Sequence, residues 1–205
     1  MRKLLKLVAV LTAGTLALVL VGSAAALYLI HGYSVGLPDY RQLAHYQPPT
    51  VTRVHAGDGR LLAEFAHEKR VFVPVEAIPK RVIQAFLAAE DKNFYWHPGI
   101  DPLSIVRAAV TNLTRLWEDR RPMGASTITQ QVAKNFLLSN EVSLERKIKE
   151  ALLAFRIEQA FTKDQILELY LTQIYLGVGS YGVAAAGLNY FDKSLDELTT
   201  AEAAY

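Results

Sequence analysis

Val82-Ile-Gln-Ala-Phe-Leu-Ala-Ala-Glu90-Asp91-Lys92-Asn93-Phe94-Tyr95-Trp96-His97-Pro98-Gly99 is the stretch on which the reading of this chain turns. Its first half is helical. Pro79 suits a first turn, and Val82, Phe86 and Ala89 form an apolar stripe. The second half loses that period among aromatic residues, Pro98 and Gly99. Glu90 therefore closes an apolar helix running to about Lys92. Burial at such an edge disfavours a charged carboxylate and would ready Glu90 as a general base. The same pattern also describes an ordinary solvated helix end. His97 reads first as structural, and Phe94 and Trp96 as packing residues.

Downstream, Asp101 caps a helix with Pro102 in its first turn, and Ile105, Ala109 and Leu113 are expected on its core side. Trp117 to Gly124 is a polar loop. In Gly124-Ala-Ser-Thr-Ile-Thr-Gln-Gln-Val-Ala-Lys-Asn135, a helix is expected from Ser126 to about Leu138. Ile128, Val132 and Phe136 share one stripe, while Thr127, Gln130, Gln131 and Lys134 share another side. Hydroxyls and amides there suit a sugar, Lys134 suits a phosphate, and free N–H groups near Ser126 and Thr127 favour anions. An amphipathic helix with a solvated polar face has the same pattern.

Ser143 can cap a helix to about Phe161. On it Arg146 and Glu150 lie four apart, flanked by Lys147 and Lys149, an arrangement that also describes a simple surface ion pair. Thr162 with Gln165 makes a capping box for a helix to about Leu176, which Gly177 to Gly182 then breaks. Ser194 with Glu197 starts another turn of helix. Thr200 to Tyr205 has no stop signal, so the chain is expected to be a fragment of something longer.

Upstream, Leu7 to Ile30 carries no charge over about 24 residues, or about 36 Å as a helix, enough for a bilayer core. Arg2, Lys3 and Lys6 precede it, and the next Lys or Arg is Arg41. The positive-inside rule puts residues 1–6 in the cytoplasm and the rest outside. The alternative is a signal peptide cleaved near Ser23 to Ala26, but such apolar regions usually run only about 7–15 residues. Residues 31–50, with Pro38, Pro48 and Pro49, read as a linker. Residues 51–74 read as a β-hairpin around Gly57-Asp58-Gly59. Residues 75–205 read as one helical domain. The net charge of +2 over 205 residues leaves no nucleic-acid footprint, and the absence of cysteine excludes disulfides and thiolate chemistry.

The Glu90–Gly99, Gly124–Asn135 and Arg146–Glu150 blocks, in this order, resemble the first three motifs of the peptidoglycan glycosyltransferases, glycosyltransferase family 51. Lys163 to Gly177 resembles the fourth. Gly182 to Lys193, with Leu198 and Glu202, resembles the fifth. The resemblance covers residues 75–205, and the anchor, linker and hairpin fit the N-terminal part of a class A penicillin-binding protein. It implies a mainly α, lysozyme-like domain with a small membrane-facing lobe at Trp96 to Met123. That lobe would set Leu113, Leu116, Trp117 and Met123 beside Arg115, Arg120 and Arg121 at a bilayer interface.

The implied substrates are lipid II and a growing glycan strand on polyprenyl pyrophosphate. Other cell-wall synthesis proteins are implied partners, and the implied place is the cytoplasmic membrane with the catalytic domain outside. By match, Glu90 is the general base of an inverting β-1,4 transfer. Lys134, Arg146 and Lys147 would offset pyrophosphate charge. Ser126, Thr127, Gln130, Gln131 and Asn135 line the donor side. Glu150 orients the basic groups, or helps hold the pyrophosphate with a divalent ion, magnesium or manganese. Two positions depart from the family pattern: Val142 where a basic residue is common, and Thr172 where Asn is common. Neither Ser-x-x-Lys nor Lys-Thr-Gly, the transpeptidase marks, occurs here. The rival readings are a lytic muramidase, with Glu90 as general acid, and a non-catalytic anchored scaffold.

Overall fold

The computed structural model describes residues 2–46, 52–65, 69–115, 123–139 and 141–205. Helix α1 (Arg2–Ser34) contains Val10–Ser34, long and apolar enough to cross a membrane, with a mean hydropathy of 2.1. It runs one turn past the expected Ile30. A 3-10 turn at Tyr40–His45 follows, its start fixed by Asp39 accepting from the Arg41 N–H. The stretch expected as a linker docks on the domain. Leu43 is in the core, the Tyr46 ring meets Phe136 edge-on at 4.7 Å, and the Tyr46 hydroxyl donates to Gln173 Oε1 at 2.8 Å.

The expected hairpin is present. β1 (Thr52–His55) and β2 (Leu61–Phe65) pair antiparallel, with a register shift between Val54 and His55. The sequence offered no sign of the next pairing, in which β3 (Lys69–Arg70) lies parallel to β4 (Ser180–Tyr181).

The helical body comprises α2 (Lys80–Glu90), α3 (Pro102–Thr114), α4 (Ile128–Leu137), α5 (Leu144–Ala160), α6 (Lys163–Gln173), α7 (Val183–Phe191) and α8 (Thr200–Ala204). Side-chain caps set most of the starts. Ser143 accepts from the Arg146 N–H, and Thr162 with Gln165 closes the expected capping box. Helix α4 starts two residues later than the expected Ser126, because Thr127 caps it. Helix α6 stops at Gln173, short of Leu176, where Ile174 turns extended and the Tyr175–Tyr181 bridge begins. Ser194 and Glu197 make their box on a 3-10 turn, Leu195–Glu197.

The core lies between α4, α5 and α6. Ile128, Val132, Leu153, Ile157, Ile166, Leu167 and Leu171 are buried there, and Phe94 closes one end. Each such side chain contributes about 1.5–3 kcal/mol by leaving water, so α4 is held firmly on two sides. That rigidity matters because α4 carries Gln130, Gln131 and Lys134.

Two expectations are corrected. On α3, Ile105, Ala109 and Leu113 face out, and Ala108 is the helix's buried residue. The apolar period marked a real face, but that face has no protein cover among the described residues. Trp96 is 90% exposed rather than packed, because it sits on a turn whose N–H is held by the Asn93 carbonyl. Of the expected interfacial set, Leu116, Trp117, Arg120 and Arg121 lie outside the described residues. Leu113 and Met123 are exposed.

Candidate active site

Helix α2 ends at Glu90, and the chain turns extended at Asp91 (φ −158°, ψ 78°). Glu90 is exposed, and its Oε2 accepts the Gln131 Nε2–H at 2.8 Å. The carboxylate is thus not buried at an apolar edge as expected, because the helix terminus opens onto a cleft. Asp91 is the buried member of the pair, 6% exposed.

Burying a carboxylate is costly unless hydrogen bonds replace its water. Asp91 accepts from His97 Nε2, 3.0 Å from both oxygens, and from the Ile128 N–H at 3.0 Å. The Gly99 N–H donates to His97 Nδ1 at 3.1 Å. Nδ1 therefore carries no proton, and the ring is the Nε2–H tautomer that donates to Asp91. The Gly99 carbonyl accepts the Thr127 hydroxyl at 2.6 Å, and Thr127 precedes Ile128. The chain of bonds closes on itself: Asp91, His97, Gly99, Thr127, Ile128, Asp91. This buried ring locks the end of α2 to the start of α4, and so fixes Glu90 opposite Gln131.

Gly99 makes the close approach to α5. At its φ of +92° a Cβ would lie 2.9 Å from the Ala154 carbonyl oxygen, so glycine is required there. Thr127 and Gln130 are buried and form a capping box, with the Thr127 N–H donating to Gln130 Oε1 at 3.0 Å. Both residues support the site from within rather than facing the cleft.

A second cluster flanks the same end of α4. Glu150 is 2% exposed. Lys147 Nζ lies 2.7 Å from Glu150 Oε2 and donates to Ser126 Oγ at 2.6 Å. Arg146 Nε is 3.3 Å from Glu150 Oε1, but the two are not aligned as a hydrogen bond. One carboxylate thus lies between two cations, and Lys147 ties the cluster to the segment leading into α4. No group of three His, Asp or Glu side chains converges among the described residues, and Arg146 and Lys147 already crowd Glu150. That donor set does not fit a divalent ion. Lys134 is half-buried on α4, and neither it nor the exposed Asn135 has a polar side-chain partner among the described residues. Glu90 and Glu150 belong to separate clusters that share only the start of α4.

A cleft of about 450 Å³ passes Glu90 between α2, α7 and α8; Phe86, Leu176, Tyr190 and Phe191 are among its apolar walls. Buried Tyr170 is a site residue that no sequence signal marked. Burial pushes its phenol well above the usual range, and the Glu90 and Asp91 charges push it further. It stays a neutral hydroxyl near both carboxylates. Asp91 and Gly99 also went unassigned, since the contacts that tie them to α4, with Ile128 and Thr127, reach 37 and 28 positions along the chain.

A family model described as transglycosylase matches residues 58–205. Penicillin-binding protein 1A of Rickettsia felis is 61% identical over 188 residues, 92% of this chain and 24% of the relative. Penicillin-binding protein 1A of Aquifex aeolicus is 52% identical over 82% of this chain and 23% of its own length. That of Escherichia coli K12 is 46% identical over 88% of this chain and 21% of its own length. A crystal structure of penicillin-binding protein 1A from Haemophilus influenzae overlaps 77% of this chain and 14% of that chain, at 26% identity and a TM-score of 0.36. This chain therefore spans under a quarter of the length of these curated relatives, and it belongs to the transglycosylase family.

Proposed function

We propose that this chain is the membrane anchor and glycosyltransferase part of a class A penicillin-binding protein, and that it polymerises lipid II into β-1,4-linked glycan. The observation that carries this reading is the Glu90–Gln131 pair, held at an open cleft by a buried hydrogen-bond ring. Gln131 occupies Oε2, which leaves Oε1 facing solvent to accept a proton. The acceptor 4-hydroxyl gives its proton to Glu90. Its oxygen bonds to the donor anomeric carbon from the face opposite the leaving group, and the carbon–oxygen bond to pyrophosphate breaks with inversion. The bonding pair leaves with the polyprenyl pyrophosphate. Arg146, Lys147 and Lys134 offset the charge that develops there, an electrostatic role. Glu150 holds Arg146 and Lys147 in place from beneath.

The setting supports a lipid-linked substrate. Helix α1 is membrane-spanning in length and composition. Leu103, Val106, Val110 and Leu113 on α3 are all more than half exposed, as a bilayer-facing lobe requires. The Arg2, Lys3 and Lys6 cluster supports a cytoplasmic N-terminus, with the domain working on the outer side of the membrane, where other cell-wall synthesis proteins are its proposed partners. The lytic alternative supplies no substrate anion for Arg146 and Lys147, whose partner within the protein is Glu150. The test is product analysis with labelled lipid II and preformed glycan: this reading predicts longer strands and released pyrophosphate lipid, and shortening of preformed glycan without strand growth contradicts it.

A further inference from the structure

Beneath the loop from Asp91 to Gly99 lies a second buried polar cluster. Lys163, the first residue of α6, turns its ammonium under this loop. Nζ donates to the His97 carbonyl at 2.7 Å and to Glu158 Oε1 at 2.7 Å, and sits 4.4 Å from the centre of the Phe94 ring. Glu158 Oε1 also accepts the Thr129 hydroxyl at 2.5 Å. The side chains of Lys163 and Glu158 are 20% and 8% exposed.

An ammonium has three donors and no acceptor. Here two hydrogens go to oxygens, and the Phe94 face meets the remaining positive side. A buried ion pair is weak evidence for stability by itself, since desolvation offsets its attraction. The contact with the His97 backbone is what sets this pair apart. The imidazole of His97 is the link that joins Asp91 to Gly99, and it projects from the residue whose carbonyl Lys163 holds. Through Glu158 the same cation reaches Thr129, in the first turn of α4 and two residues before Gln131. One side chain thus ties together both halves of the support beneath Glu90: the loop that carries Asp91 and the helix start that carries Gln131.

We infer that Lys163 is a positioning residue for the transfer reaction, acting through His97 and Thr129 on the Glu90–Gln131 geometry. This rests on the reading of Glu90 as the base. Displacing a reacting group by about 1 Å costs about a hundredfold in rate, so a partial loss of support has a measurable effect on turnover. Substrate binding, which Lys163 does not touch, is spared.

The experiment is steady-state polymerisation of labelled lipid II by the detergent-solubilised protein, with thermal melting of each variant. Lys163→Met is expected to lower kcat by about tenfold or more, with KM within about twofold. Lys163→Arg keeps a cationic donor and is expected to restore most of kcat. The double variant Lys163→Met/Glu158→Gln removes the buried carboxylate that Lys163→Met leaves unpaired. It is expected to recover the melting temperature while kcat stays low, a split that a merely stabilising ion pair does not give. Wild-type kcat in the double variant, with Glu90→Gln inactive in the same assay, overturns the Lys163 assignment alone. Polymerisation by Glu90→Gln overturns the base reading on which it rests.

Discussion

Gln131 Nε2 and Glu90 Oε2 are 2.8 Å apart across 41 residues of sequence. The bond joins the last residue of α2 to the second turn of α4, and it aims one carboxylate oxygen while leaving the other open. Gln131→Ala removes the donor without disturbing the Thr127–Gln130 cap. It is expected to lower kcat in lipid II polymerisation about tenfold through misorientation of the base, with the melting temperature unchanged. A wild-type kcat for this variant contradicts the positioning role.

Asp91→Asn attacks the ring behind that bond. His97 Nε2 and the Ile128 N–H both donate to Asp91. An asparagine offers one acceptor oxygen and sets an NH2 against a donor. Leaving a buried partner unsatisfied costs about 2 kcal/mol, which for a domain of this size lowers the melting temperature by about 4–8 °C. Thermal melts of the purified variant check the magnitude, and polymerisation assays below its melting point should still show reduced kcat.

Gly99→Ala tests the close approach of the loop to α5. The added Cβ meets the Ala154 carbonyl, which is backbone and cannot swing aside, and φ is +92°. The expected loss is at least about 2 kcal/mol from strain and displacement together. Denaturant unfolding gives the value directly.

Asp101 supplies a pH prediction. Its carboxylate caps α3 through the Leu103 and Ser104 N–H groups. The Ser104 hydroxyl, ahead of Asn93 and those two N–H groups, holds it down to about 2 from the usual 3.8, against the opposing effect of burial. A depressed carboxylate contributes stability that is present above its unfolded value and is lost as pH falls through the folded one. The contribution should therefore fade between about pH 4 and pH 2. Asp101→Ala should lose about 1 kcal/mol at neutral pH with its cap, and the difference between the two proteins should shrink across that window. A pH-independent difference contradicts this assignment.

Local signals in the sequence were reliable. Ser143, and Thr162 with Gln165, announced their helix starts because a cap is set by residues within one turn. Arg146 and Glu150 were placed together by helical spacing. The hairpin followed from Gly57-Asp58-Gly59. The misreadings share one cause: each needed to know what lies across space. The stripe of Ile105, Ala109 and Leu113 specifies an apolar face but not its cover, and α3 leaves it open. Glu90 and Asp91 are adjacent in sequence, yet a change of backbone direction at Asp91 sends one outward and the other into the ring. The linker carries no period to show that Leu43 enters the core. The parallel pairing of Arg70 with Tyr181 links segments about a hundred positions apart, beyond any local rule. Among the expected donor-side residues, Gln131 and Ser126 make the polar contacts of the two clusters, whereas Thr127 and Gln130 are buried beneath them.

The most direct measurement is glycan polymerisation from labelled lipid II in liposomes, comparing the wild-type protein with Glu90→Gln. The substitution keeps the size of the side chain and an acceptor for Gln131 but cannot take up a proton. Polymer from the wild type and none above background from the variant, with lipid II still bound by both, is the predicted result. Polymer formed at comparable rates by both proteins would contradict the assignment of Glu90 as the base.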